Sequence, residues 1–165
     1  MRSQAALASA RPELKVCVEV SREWKGWRVT EDLAGKIKKK VPSPKFILLF
    51  ATIDYESEFK PILSGMKKAF PDSPLIGGTV AGFTAPQGCY TRGVVAFALH
   101  YPNMDVTVGV GHNTKRSPEK AARECAKDIK AGLNESKWEN KFLFDVISGT
   151  EIPSMPGMGH GVIKS

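Results

Sequence analysis

Two kinds of hydrophobic spacing follow one another along the chain and predict strands and helices in turn. Apolar residues recur at every fourth position from Val29 to Val41, and residues 57–70 also place apolar side chains at helical spacing, which predicts two amphipathic helices. Residues 14–20 alternate between apolar and polar positions, as a half-buried strand does. Residues 45–51 are a continuous apolar run, which predicts a central strand that is covered on both faces.

The second half of the chain predicts four strands and one helix. The strands are expected to begin at Leu75 and to cover residues 94–101, 106–110 and 142–147, with a hairpin turn at Pro102 and Asn103. The helix is expected to start at Ser117 and Pro118, and its buried face comprises Ala122, Cys125, Ile129 and Leu133. We therefore expect an α/β fold, a single domain whose mixed β-sheet carries packed helices in the order β-α-β-α-β-β-β-α-β.

Local signals set the expected boundaries of these units. Thr30 is a suitable N-cap for the first helix, and Pro42 should end it. Residues 1–13 have no hydrophobic period and are expected to fray, residues 14–148 form the domain, and residues 149–165 are a loop rich in Gly, Pro and Met. A chain of 165 residues with 42% hydrophobic residues is long enough for one core of ordinary size.

Composition excludes several classes of protein. No apolar run reaches the roughly 18 residues of a membrane-spanning helix, and the apolar patch near the N-terminus is too short for a secretory signal. The three cysteines have no C-x-x-C spacing, so neither a disulfide framework nor a zinc knuckle is expected. These features favour a protein of the reducing cytoplasm that makes no contact with membranes.

The net charge of +7 permits contact with polyanions without requiring it. Five lysines and no acidic residue lie within residues 36–45. No aromatic residue stands among them to stack on a base, so we interpret them as a solvated helix end and expect no nucleic-acid partner.

The glycine-rich residues 77–82, which follow a short strand, are the most informative candidate for a site. Gly77 and Gly82 have the spacing of a phosphate-binding P-loop, but Phe83 occupies the place of the lysine, which excludes nucleotide hydrolysis. A glycine-lined strand end in an open α/β sheet is a usual place for a small ligand. We therefore predict ligand contacts at Gly77, Gly78, Thr79 and Gly82; the alternative is that these glycines serve only turns and tight packing.

A second candidate lies between a predicted strand and the helix that begins at Ser117. His112, Asn113 and Thr114 occupy this loop, and loops that lead into helix N-termini can hold anions. These three residues complete the predicted ligand-binding set, with a surface histidine as the alternative. No histidine has a partner at metal-ligand spacing, so neither a metal nor another cofactor is expected.

No motif in the chain carries a catalytic mechanism, and we assign no catalytic residue. The alternative to a binding domain is a cysteine-dependent enzyme that uses Cys89 as its nucleophile and His112 as its base. A nucleophilic thiol needs an aligned base, which the sequence does not show.

Four segments in this order carry a family resemblance: residues 46–52, 74–82, 88–99 and 106–111. Together they resemble the N-terminal half of the FIST domain, a sensory module of prokaryotic signal-transduction proteins that is also found beside F-boxes in eukaryotes. The resemblance spans residues 15–147. It implies a cytoplasmic, non-catalytic domain that senses small molecules such as amino acids. Together with the glycine-lined strand end, it leads us to expect an amino acid or a similar polar metabolite as the ligand. Such proteins normally carry a C-terminal FIST half, so residues 149–165 are expected either to begin that half or to be a loop of a domain that stands alone. The expected partner is accordingly a C-terminal half or a second copy.

Overall fold

The computed structural model describes residues 12–134 and 136–146. The predicted C-terminal loop at 149–165, nearly all of the predicted fraying segment at 1–13, and the last residue of the strand predicted at 142–147 lie outside these ranges. Within them, no helix is both long enough and apolar enough to cross a membrane.

The described chain forms six strands, three α-helices and one 3₁₀ helix. In chain order these are β1 (Lys15–Ser21), α1 (Gly26–Lys40), β2 (Phe46–Thr52), the 3₁₀ helix (Ile53–Glu58), α2 (Phe59–Ala69), β3 (Leu75–Val80), β4 (Phe83–Ala85), β5 (Gly88–Tyr90), β6 (Val94–His100) and α3 (Pro118–Leu133).

The main sheet has four strands in the order β1-β6-β2-β3. β6 runs antiparallel to both of its neighbours, whereas β2 and β3 are parallel and are connected through α2. β4 and β5 form a separate two-stranded hairpin. β1 and β3 are therefore the two edges of the main sheet.

The core lies between this sheet and the helix pair formed by α1 and α2. The apolar positions of α1 that recur every fourth residue are fully buried, among them Val29, Leu33 and Ile37. They pack in one cluster with Ile62 and Met66 of α2 and with alternate residues of the central strands. Burying this many large apolar side chains is the main stabilising contribution to the fold.

The predicted fold class is confirmed, and the apolar run predicted as a central strand is β2. This strand has a parallel neighbour on one side and an antiparallel neighbour on the other. α3 begins at Pro118 as predicted, although Ala121, Ala122 and Ala126 are its most buried residues and Cys125 is only half-buried. Leu63 in α2, which the helical spacing placed inward, is 49% exposed.

The predicted N-cap of the first helix is wrong. α1 begins at Gly26, whose N–H donates to a carboxylate oxygen of Glu58 at 2.7 Å. Thr30 lies inside the helix, where its hydroxyl donates to the Gly26 carbonyl at 3.0 Å. A carboxylate from the distant 3₁₀ helix therefore satisfies an N–H at the helix end, a role that the sequence pattern assigned to Thr30.

The predicted order of elements needs two corrections. Residues 106–110 pair with no strand among the described residues, so neither this strand nor the hairpin predicted at Pro102 and Asn103 forms. The segment instead runs close against α3, where a Cβ at Gly109 would overlap the main-chain carbonyl of Cys125. Residues 142–146 also form no strand, and their apolar side chains are exposed. The hairpin of β4 and β5 was not predicted. The described order is therefore β-α-β-α-β-β-β-β-α.

Candidate functional site

A cavity of about 230 Å³ lies beneath the outer edge of β3, between this strand and α2. Its floor comes from β2, one wall from the first turns of α2, and the other wall from β3 itself. The lining residues are Leu49, Ala51, Phe59, Ile62, Leu63, Leu75, Ile76, Gly77, Gly78 and Thr79. Three of the predicted site residues, Gly77, Gly78 and Thr79, are thus brought together in one concave surface.

The cavity borders Gly77, which carries no side chain to fill the space. Gly77 pairs with Leu49 in the sheet and has a φ of +157°, a value that L side chains rarely adopt. A Cβ at this position would overlap the carbonyl oxygen of Leu49. Gly77 therefore meets a steric requirement of the β2–β3 pairing, so the tight-packing alternative considered for the cluster also accounts for this glycine.

Main-chain polar groups form the rim of the cavity. In a parallel ladder, alternate residues of a strand direct both of their main-chain groups to the same neighbour. The Ile47 N–H donates to the Pro74 carbonyl at 2.9 Å, so Ile76 and the other even-numbered residues of β3 face β2. The N–H and C=O groups of Leu75, Gly77 and Thr79 consequently point to the outer edge, where a bound molecule can reach them.

The lining sets the chemistry that the cavity can accept. None of its ten residues is ionisable, and Thr79 contributes the only polar side chain. A ligand would therefore bury an apolar group in the cavity and would hydrogen-bond through its polar groups to the edge of β3. None of these lining side chains is a general base, and the Thr79 hydroxyl is the one polar side-chain group among them.

Gly82, the fourth glycine-region prediction, lies in the connection from β3 to β4 and is not among the cavity residues. A Cβ on Gly82 would stand 2.8 Å from the carbonyl oxygen of Tyr90. The close approach of this connection to β5 therefore accounts for a glycine here, which was the alternative considered for the cluster.

The predicted residues His112, Asn113 and Thr114 lie in the loop before α3 and are not among the cavity residues either. Asn113 has a φ of +60°, and its carbonyl accepts the N–H groups of Arg116 and Ser117, each at 3.0 Å. The main-chain N–H of His112 donates to Glu124 at 3.4 Å. These bonds shape the turn into α3, and a ligand role for the loop stays a prediction.

Cys89, the thiol of the alternative enzyme hypothesis, lies in β5 and is exposed. Its Sγ lies 3.5 Å from the hydroxyl oxygen of Thr84. No hydrogen bond between Cys89 and His112 occurs among the described residues. Those same residues also contain no group of three or more His, Cys, Asp and Glu side chains that could hold a metal ion.

A second, more polar cleft of about 380 Å³ lies near β1. Within it, the Lys36 ammonium donates to the Val20 carbonyl and to the Asp32 carboxylate, both at 2.8 Å. The Glu19 carboxylate, 8% exposed, pairs at 2.8 Å with Lys40 and thereby raises the pKa of that lysine. Arg22 also lines this cleft, but the other charges are already compensated in pairs, so we favour the apolar cavity as the ligand site.

The same contacts explain part of the lysine cluster at residues 36–45. Lys36 and Lys40 are held by acidic partners, and the Lys38 ammonium lies 5.5 Å from the centre of the Phe70 ring. Lys38, Lys39 and Lys40 form the last turn of α1, where positive charge complements the helix dipole. These contacts favour the structural interpretation of the cluster, and the absence of a nucleic-acid partner stays a prediction.

Sequence reasoning missed a cluster around Arg92. Its guanidinium donates to the Tyr55 hydroxyl at 3.0 Å and to the Arg22 carbonyl at 3.1 Å, and it lies 3.8 Å from the centre of the exposed Trp24 ring. Burial raises the pKa of Tyr55, and the nearby Arg92 charge opposes that rise. The contacts join residues far apart in the chain, so no local motif could have indicated them.

The described residues thus form an α/β domain with a small apolar cavity at an open sheet edge. In a comparison with protein families, residues 45–159, more than half of the chain, match the FIST N domain. The chain therefore belongs to the FIST N domain family, a family of sensory domains in signal transduction, and the resemblance inferred from the sequence is confirmed. No curated protein matches the chain.

Proposed function

We propose that this domain is a non-enzymatic sensor that binds a small amphipathic molecule, such as an amino acid with an apolar side chain, at the edge of β3. The observation that carries the proposal is the juxtaposition of an apolar cavity with the outward main-chain groups of Leu75, Gly77 and Thr79. Membership of a sensory family supports the same conclusion.

The size of the cavity supports a small ligand. At about 230 Å³ it lies below the ~300–1,000 Å³ that is usual for drug-sized molecules. It suits one branched or aromatic side chain. The amino and carboxylate groups of an amino acid would then remain at the rim, where main-chain N–H and C=O groups can bind them.

Ligand binding at this position would change the domain through β3. A molecule that bonds to Gly77 and Thr79 orders a strand that pairs with β2 alone among the described residues, and this ordering is the signal that a partner would detect. The expected partner is a C-terminal FIST half or a second copy of the chain. Three free thiols, at Cys17, Cys89 and Cys125, support a place in the reducing cytoplasm.

A thermal-shift experiment with a panel of amino acids tests the proposal. A ligand at 100 times its Kd stabilises the native state by about 2.7 kcal/mol, which raises the Tm of a domain of this size by about 5–11 °C. We expect Leu, Ile, Met or Phe to produce this shift, and we expect Asp, Glu and Gly to produce none.

A matched pair of variants tests whether the ligand binds in the cavity. Leu63 is 49% exposed and lines the cavity, so Leu63→Trp should narrow the cavity without disturbing the core. Ile53 is 61% exposed and lies outside the cavity, so Ile53→Trp is the control for an added surface ring. We expect the ligand-induced shift to be lost in the first variant and kept in the second. Equal shifts in both variants, or no shift with any compound, would contradict the proposal.

A further inference from the structure

Side chains occupy main-chain groups at one edge of the main sheet, β1, but at the other edge, β3, none from the described residues does so. At the β1 edge, the side chain of Gln87 donates to the Val18 carbonyl at 3.0 Å and Lys36 donates to the Val20 carbonyl at 2.8 Å, so side chains occupy main-chain acceptors that another strand would need. At the β3 edge, no hydrogen bond from another described residue reaches the outward groups. β3 also contains no charged residue and no proline, the residues that commonly block edge pairing.

The order of residues in β3 is self-complementary in one antiparallel register. With a twofold axis at Gly78, Gly77 of one copy lies opposite Thr79 of the other, and Ile76 lies opposite Val80. Because Gly77 and Thr79 carry the outward main-chain groups, the Gly77–Thr79 pair and its symmetry mate exchange the hydrogen bonds, whereas Ile76 and Val80 form pairs without them.

Side chains on both faces fit this register. Thr79 meets a glycine across the interface, so the face beside the cavity is not crowded. Ile76 and Val80, both β-branched, form a cross-strand pair on the opposite face. At the axis itself, a Cβ added to Gly78 meets nothing within 4 Å, so the two copies can approach there. Placing the axis at Gly77 instead would oppose Leu75 to Thr79 and leave Gly78 opposite Ile76.

We propose that β3 pairs antiparallel with β3 of a second copy about a twofold axis at Gly78, which joins the two four-stranded sheets into one of eight strands. The helices of both copies then lie on the same side of the sheet. Pairing uses main-chain groups that the proposed ligand would also contact, so a ligand and a second copy would compete for the edge of β3. The pairing is therefore tested without added ligand, and it does not depend on the proposed function.

Disulfide trapping tests the register. Directly opposed residues that exchange no hydrogen bonds have Cα atoms about 4.5 Å apart, within the range that a disulfide spans. In a Cys89→Ser background, which removes the exposed native thiol, Gly78→Cys should therefore cross-link to itself under mild oxidation. Thr79→Cys in the same background is the control, since the two copies of residue 79 are then displaced along the strands beyond disulfide reach.

Within a dimer the paired thiols have an effective concentration of about 1 mM, about 100-fold above free protein at about 10 µM. At a protein concentration where sedimentation velocity shows the dimer, the Gly78→Cys variant should therefore cross-link about 100-fold faster than the Thr79→Cys control. Similar rates for the two variants would overturn the register. Far-ultraviolet circular dichroism should first establish that both variants are folded, and Gly78 accepts a side chain without a clash.

Two measurements on the unmodified chain test the pairing independently of any variant. Sedimentation velocity should show a monomer–dimer equilibrium, and hydrogen exchange at the Gly77 and Thr79 amides should slow as the dimer fraction rises. A chain that stays monomeric at millimolar concentration would overturn the proposal. Amides that are already protected in the monomer would overturn it too, because the edge would then be covered by the same chain.

Discussion

Replacing Gly77 by alanine is the sharpest perturbation of the candidate site. The new Cβ would overlap the carbonyl oxygen of Leu49, a main-chain atom of the central strand β2 that cannot move as a flexible side chain could. The φ of +157° adds a backbone conformation that alanine rarely adopts. Both effects act on the pairing of β2 with β3.

The expected cost follows from these two contributions. A residue held in a sparsely populated backbone region costs about 1–3 kcal/mol, and overpacking typically costs about 1–3 kcal/mol. We therefore expect Gly77→Ala to lower the free energy of unfolding by about 2–6 kcal/mol, a large share of the stability of a typical domain.

Gly78→Ala is the matched control, because it makes the same chemical change one residue further along the strand. Its Cβ meets nothing within 4 Å, and its φ lies outside the range that disfavours side chains. We expect stability to change by less than about 1 kcal/mol, because alanine adds no clash and also lowers the chain entropy of the unfolded state. Urea denaturation of both variants measures the difference, and equal losses in the two would refute the steric reasoning.

Three further predictions concern groups outside the cavity. Burial raises the pKa of Tyr55, so the stability that its neutral phenol contributes is complete below about pH 10 and is lost as pH rises through the pKa of the folded state. Tyr55→Phe should therefore reduce the fall of the urea midpoint at alkaline pH. An unchanged slope of midpoint against pH would contradict this role of Tyr55. Arg92→Ala removes two hydrogen bonds and the contact with Trp24, and should lower the free energy of unfolding in urea by about 1–3 kcal/mol. A change below ~0.5 kcal/mol would show that the contacts of Arg92 do not stabilise the fold. With iodoacetamide near neutral pH, exposed Cys89 should react at the rate of an ordinary free thiol. Buried Cys17, whose pKa is raised by burial, should stay unlabelled. A rate at Cys89 about 100-fold higher would support the hypothesis of a cysteine-dependent enzyme.

Sequence patterns predicted the parts of the fold that depend on local periodicity. The apolar run at residues 45–51 became β2, and the fourfold spacing from Val29 to Val41 placed the buried face of α1. In α1 the side chains that make the pattern are the buried ones. In β2 burial alternates between buried and half-buried residues, so the expected full covering of both faces was wrong for one face.

The errors arose where a distant partner decides the local structure. α1 begins at Gly26 because Glu58 receives its N–H, a contact across 32 residues. Residues 106–110 have the alternation of a strand, but they run against α3 and pair with no strand among the described residues. Neither outcome could be obtained from neighbouring residues alone.

The candidate site was only partly accessible to sequence reasoning. Glycines beside a strand indicated an open edge, and Gly77, Gly78 and Thr79 do line a cavity. The apolar wall that α2 adds could not be foreseen, because Phe59, Ile62 and Leu63 read simply as residues of a buried helix face. This wall changes the expected ligand from a polar metabolite to an amphipathic one.

The central claim is that a small molecule binds at the edge of β3. The most direct measurement is a titration of ¹⁵N-labelled protein with leucine or phenylalanine, followed by amide chemical shifts. The account predicts saturable shifts that are largest at Leu75, Gly77 and Thr79, with little change at Cys89 or His112. Saturable shifts centred on the loop at residues 112–114, or unchanged β3 amides at saturation, would contradict it.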